Sequence, residues 1–188
     1  MTTEHAKSLI DRRFHVLVLD VPSLLRAPGE APRLFCRRLE HLLDREVRVV
    51  LAVFDDEGQS PEELCKAIGG LSRVFLFAWT AQGVIFGFDQ WGLAAKLTRG
   101  VIEAPDAAAA MILDVVAEPA DIRASSVLVI GEHFGPGGRD RVFTGNAFAG
   151  ARLIALSDTD DVPPGVRRVP AGAESATALL DTLLWVWN

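Results

Sequence analysis

Apolar residues along this chain fall into two patterns. Some short runs are apolar at every position and stop at an acid or a glycine; others recur at helical spacing between charges. FHVLVLD (Phe14–Asp20), VRVVLAVF (Val47–Phe54) and SVLVI (Ser126–Ile130) are of the first kind, as strands buried on both faces must be. Arg152–Leu156 reads as a further strand. RVFLFA (Arg73–Ala78) and VIFGF (Val84–Phe88) flank a turn at Ala81-Gln82-Gly83 and predict a short β-hairpin.

The second pattern marks helices. Leu34–Leu43 carries leucines at helical spacing with charges between them. Ser60-Pro61-Glu62-Glu63 opens another helix, with Ser60 as N-cap and Glu63 closing a capping box, and Gly69-Gly70 ends it. Gln90 to Gly100 reads as mostly helical. Pro105 starts an alanine-rich helix to Val116, and two more helices cover Asp140–Ala149 and Ser175–Trp187. Strands alternate with helices, and each crossover is long enough for a right-handed βαβ unit. The expected fold is therefore α/β: a doubly wound, Rossmann-like, mostly parallel sheet with helices on both faces. One domain spans residues 1–188, and only residues 79–104 offer material for a small cap or insertion.

Composition narrows the function. Of the 188 residues, 49% are hydrophobic and 23% charged, which suits a packed globular protein. A chain of this length buries roughly 70% of its unfolded surface, so its core needs neither disulfide nor metal. The net charge of −6 argues against a nucleic-acid partner. The basic clusters Arg37-Arg38, Arg139 with Arg141, and Arg167-Arg168 have no aromatic residues interleaved for base stacking. No apolar run approaches the ~18 residues of a membrane span, and MTTEHAKSLIDRRF lacks the apolar centre of a signal peptide, so a cytoplasmic location is expected. Cys36 and Cys65 read as reduced thiols, and His5, His15, His41 and His133 show no zinc-ligand spacing.

Chemistry in such sheets collects beyond the carboxyl ends of the strands, where strand order reverses. Asp20 and Glu132 follow the two most apolar runs. If those strands are neighbours, the two carboxylates face one another, and a hard cation such as Mg²⁺ would relieve their repulsion. Asp140 could supply a third oxygen. Each acid alone also suits a turn or an N-cap, and Asp55-Asp56-Glu57 looks more like a charged loop. In Gly135-Pro136-Gly137-Gly138-Arg139-Asp140, Gly137, Gly138 and Arg139 are candidates to cradle an anion, against the alternative of a flexible βα turn. Trp185 and Trp187 suit core anchoring, or an interface with a protein partner or a second copy of the chain.

With these acids in place, the chain resembles the haloacid dehalogenase-like (HAD) superfamily. VLVIGEHFGPGGRDRVFTGNAFAGARLIALS (Val127–Ser157) is similar to the fourth motif of that family. VLVLD ending at Asp20 is similar to the first motif, and VVLAVFDDEGQSPEEL to the region of the second. The hairpin is loosely similar to the sugar-phosphate phosphatase branch. The resemblance implies a HAD-like hydrolase, a Mg²⁺-dependent phosphatase acting on a small phosphorylated metabolite through an aspartyl-phosphate. Asp20 would be the nucleophile; Asp20, the Pro22 carbonyl, Glu132 and Asp140 would hold the metal; Lys96 or Arg99 would neutralise the phosphoryl oxygens.

The departures from the family pattern define the rival reading. Pro22 stands where the phosphatases carry their general acid, a loss that commonly costs ~10²–10⁴-fold. Val53 falls where a phosphate-binding Ser or Thr is expected. The rival is a catalytically silent HAD-like module that binds a metabolite or a protein partner. A flavodoxin- or receiver-like domain is disfavoured, because RVFLFAWT ends without the acid a receiver needs there.

Overall fold

The three most apolar runs of the sequence lie side by side at the centre of one eight-stranded sheet, ordered β5-β4-β3-β2-β1-β6-β7-β8. The computed structural model describes residues 1–27, 29–55, 74–80, 83–88, 96–98, 105–117, 123–135 and 138–187. The expected Ser60 helix, Gly137, Arg99 and the Ala81-Gln82 part of the turn lie outside the described residues.

In chain order the elements are α1 (Thr3–Leu9), β1 (Val16–Asp20), α2 (Pro22–Arg26), α3 (Ala31–Leu43), β2 (Arg48–Asp55), β3 (Phe75–Thr80), β4 (Gly83–Phe88) and β5 (Lys96–Thr98). Then come α4 (Pro105–Ala117), β6 (Val127–Gly131), β7 (Arg152–Leu156), β8 (Arg167–Val169) and α5 (Ala173–Trp187). The six strands from β3 to β8 across β1 pair in parallel, while β3–β4 and β4–β5 pair antiparallel. The expected hairpin is β3–β4. From β1 the chain passes to β2 on one side, and from β6 to β7 on the other. The crevice between the carboxyl ends of β1 and β6 is thus the switch point of a doubly wound sheet.

Strand side chains alternate between the two faces. Leu17, Leu19, Val49, Leu51, Leu128 and Ile130 pack with Ala6, Leu9, Phe35, Leu39, Leu179 and Leu183 of α1, α3 and α5. Val16, Val18, Val50, Ala52, Phe54, Val127 and Val129 pack instead with Ala108, Ala109 and Ile112 of α4 and with Val142, Phe143 and Phe148. Both faces are therefore covered, which is why the central strands read as continuous apolar runs. No helix among the described residues is long and apolar enough to cross a membrane.

Two expectations need correction. The helix expected over Asp140–Ala149 is two 3₁₀ segments, Gly138–Thr144 and Asn146–Phe148. Gly145 between them packs against the first turn of α4, and a Cβ there would lie 2.7 Å from Asp106 Oδ1. Within Gln90–Gly100, Lys96–Thr98 is a strand, its backbone recruited by the open edge of β4. The helices α1 and α2 and the strand β8 were not expected from the sequence.

The turn from α3 into β2 carries local strain. Val47 N–H donates to Leu42 O and Glu46 N–H to Leu43 O, the paired bonds of a Schellman motif. Buried Leu42 and Val47 supply the hydrophobic contact that accompanies it. Glu46, at φ +62°, occupies the left-handed position that glycine fills without cost. Glu46→Gly is expected to stabilise the fold by up to ~1 kcal/mol in urea denaturation.

Candidate functional site

Asp20 is the last residue of β1 and keeps the alternation of Val16 and Val18, so its side chain enters the face lined by Phe54 and Phe143. It pairs in register with Gly131, and the ladder runs one bond further, from Glu132 N–H to Asp20 O at 2.9 Å. The next residue completes the site. His133 donates its backbone N–H to Asp20 Oδ2 at 3.0 Å, and its ring Nδ1 lies 2.8 Å from the same oxygen. Asp20 is wholly buried, whereas the His133 side chain keeps 34% of its surface exposed. Phe54 meets the His133 ring edge-on at 6.2 Å and touches Phe77, Trp79 and Phe143 in turn.

The second carboxylate turns elsewhere. Glu132 Oε2 accepts from Ser23 N–H at 3.2 Å and from Ser23 Oγ at 2.5 Å. Ser23 sits in the first turn of α2, just after Pro22. The adjoining strand ends thus carry two separate pairs, Asp20 with His133 and Glu132 with Ser23. Burial pushes the Asp20 carboxyl above its ordinary range. The hydrogen bonds and charge of His133 pull it back, and the nearby Glu132 charge adds to the rise. Its Oδ1 has no hydrogen-bond partner among the described residues.

The other expected site residues are distributed around this crevice and away from it. Pro22 begins α2 beside Asp20, within the crevice. Gly138, Arg139 and Asp140 lie in the 3₁₀ segment that follows β6. Lys96 begins β5, four strands from β1, or about 19 Å across the sheet, so the strand order does not bring its backbone beside Asp20. A cavity of about 320 Å³ opens beyond β6 and β7, lined by Gly135, Arg141, Thr144 and residues Asp161 to Pro164. Trp185 is 60% exposed with the Lys7 ammonium over its ring, while Trp187 packs against His15 and Arg13.

The donor set does not suit the Mg²⁺ that the family resemblance implies. Mg²⁺ asks for near-octahedral oxygen ligation. Here Asp20 Oδ2 already takes two bonds from His133, Glu132 Oε2 takes two from Ser23, and the surrounding wall is aromatic. Among the described residues, no group of three His, Cys, Asp or Glu could hold a metal. Sequence reading missed His133, Ser23 and Phe54; the signal available for His133 was its place immediately after the strand-end Glu132.

Two outcomes follow from this packing. A Cβ on Gly131 would meet Asp20 Cβ at 3.1 Å, Asp20 Oδ2 at 3.2 Å and Phe134 at 3.3 Å. Gly131→Ala should therefore cost about 1–3 kcal/mol in chemical denaturation. The second concerns pH. Because the folded Asp20 carboxyl is raised above its usual 3.8, ionising it costs more in the folded than in the unfolded chain. Its contribution to stability is fully present below the unfolded value and is lost as pH rises through the folded one. The stability of the wild type relative to Asp20→Asn should shrink as pH rises from about 4, read by urea denaturation across pH. A flat or growing difference would show that His133 outweighs burial.

No protein-family model matches this chain, and no curated protein matches it. Among solved structures, the crystal structure of an uncharacterized protein from Corynebacterium glutamicum ATCC 13032 Kitasato, at 1.44 Å resolution, is similar with a TM-score of 0.48 and 15% sequence identity, over 92% of this chain and 96% of that one.

Proposed function

We propose that this chain is a divergent HAD-like module that binds a small anionic metabolite, a phosphorylated one above all, at the carboxyl edge of its sheet, without forming an aspartyl-phosphate. The observation that carries this reading is the complete burial of Asp20, with His133 on its Oδ2. A nucleophile must approach the reacting atom to about 3–3.5 Å, and a carboxylate with no exposed surface offers no such approach. Pro22 and Val53 support the same reading, since neither side chain supplies the general acid or the hydroxyl donor of the phosphatases.

Ligand binding is supported by the cavity at the carboxyl edge of β6 and β7. There the Arg141 guanidinium and the Thr144 hydroxyl could take an anion, while Asp161 could take a donor group on the same molecule. The rival reading, a working Mg²⁺-dependent phosphatase, is favoured by one fact: Asp20 and Glu132 stand at the ends of neighbouring strands.

The test pairs a generic phosphatase assay with phosphate binding followed by NMR. The expected result is no turnover that Asp20→Asn removes, together with phosphate binding that weakens about tenfold or more in Arg141→Ala. Hydrolysis that disappears in Asp20→Asn would overturn the silent reading. Phosphate binding unchanged in Arg141→Ala would remove the cavity from it.

A further inference from the structure

We infer that His133 takes the place at Asp20 that the family resemblance gives to a divalent cation, so that this crevice is assembled and binds its ligand without metal. The inference rests on reading the carboxyl edge of the sheet as the ligand site.

The argument is one of valence and space. A carboxylate taken out of water needs a cation or several donors to offset the lost hydration. At Asp20 the protein supplies the donors from one residue, since His133 brings a main-chain N–H at 3.0 Å and a ring nitrogen at 2.8 Å to the same oxygen. A metal on Oδ2 would have to displace that ring. The ring is itself braced by Phe54, which touches Phe77, Trp79 and Phe143. The remaining oxygen, Oδ1, is enclosed within the protein, with no hydrogen-bond partner among the described residues.

Glu132 is withdrawn by an independent device. Two donors from Ser23 hold its Oε2, and Ser23 is placed by the turn that Pro22 starts. One oxygen of each carboxylate that a metal would bridge is therefore held from within the chain, by different partners. What lines the crevice instead is a partly exposed imidazole whose orientation is fixed by a buried carboxylate.

The experiment titrates Mg²⁺, and then Mn²⁺, into the intact wild-type protein by calorimetry, with ¹⁵N NMR of the histidine side chains on wild type and Asp20→Asn. The expected result is no saturable heat from either metal, and a His133 Nδ1 resonance that moves in Asp20→Asn. Saturable Mg²⁺ binding to wild type that Asp20→Asn abolishes would overturn the inference, and so would an Nδ1 resonance unmoved by that substitution. Should Asp20→Asn fail to fold, Mn²⁺ on wild type decides: selective broadening of the His133 resonances overturns the inference, and their persistence supports it. Failure here is distinct from failure of the functional reading. Metal binding without turnover sinks this inference alone, and turnover without metal binding sinks only the silent reading.

Discussion

A carboxylate carried into the interior at the end of a central strand constrains everything around it. Asp20 has no exposed surface, and burial pushes its carboxyl up, so its neighbours must supply what water would have supplied. His133 does so for one carboxylate oxygen through the β1–β6 pairing. Asp20 opposite Gly131 sets Glu132 one residue beyond the ladder and His133 directly over the carboxylate. Gly131 is part of the same solution, since a side chain there would occupy the space of Asp20 itself. A slip of one residue in this register would turn Asp20 toward the face of Leu17 and Leu19, among apolar side chains of α1, α3 and α5.

Pro22 shapes the site through the helix it starts. Pro22 has no N–H to satisfy and fits the first turn of a helix. The chain therefore turns helical immediately after Asp20, and Ser23 N–H becomes one of the helix-start donors that intrahelical bonds leave over. Glu132 accepts that donor together with the Ser23 hydroxyl. Pro22 thus places the donors that occupy the neighbouring carboxylate.

The parts of this architecture legible in the sequence were those fixed by burial alone. β1, β2 and β6 read as strands because both their faces are covered, and α3 read as a helix because only one of its faces is. β8 did not, since RRV is an edge strand whose two arginines face solvent and carry no apolar signal. Lys96–Thr98 is a strand because a neighbouring edge needed pairing, which local sequence does not encode. The segment after β6 had helical composition, yet its geometry is set by the contact between Gly145 and α4. At the site, Asp20 and Glu132 were visible as acids ending apolar runs. His133 was not visible as a partner, because it meets a residue 113 positions away through strand register. Asp20 and Glu132 were expected to face one another; they stand on adjoining strand ends and turn to different partners.

The Asp20–His133 pair also bears on why the crevice exists. A buried polar pair of this kind is a poor means of stabilisation, and well-packed apolar residues of similar volume are often as good or better. The surroundings of this pair would accept such a replacement readily, since Phe54, Phe134 and Phe143 already form an apolar wall on the same face of the sheet. Folding alone therefore gives no reason for a carboxylate at this strand end, nor for an imidazole that keeps 34% of its surface in contact with solvent. An imidazole held by a buried acid and still partly exposed is costly as structure. That cost sets the β1–β6 strand ends apart: among the described residues, Asp20 is the one buried carboxylate.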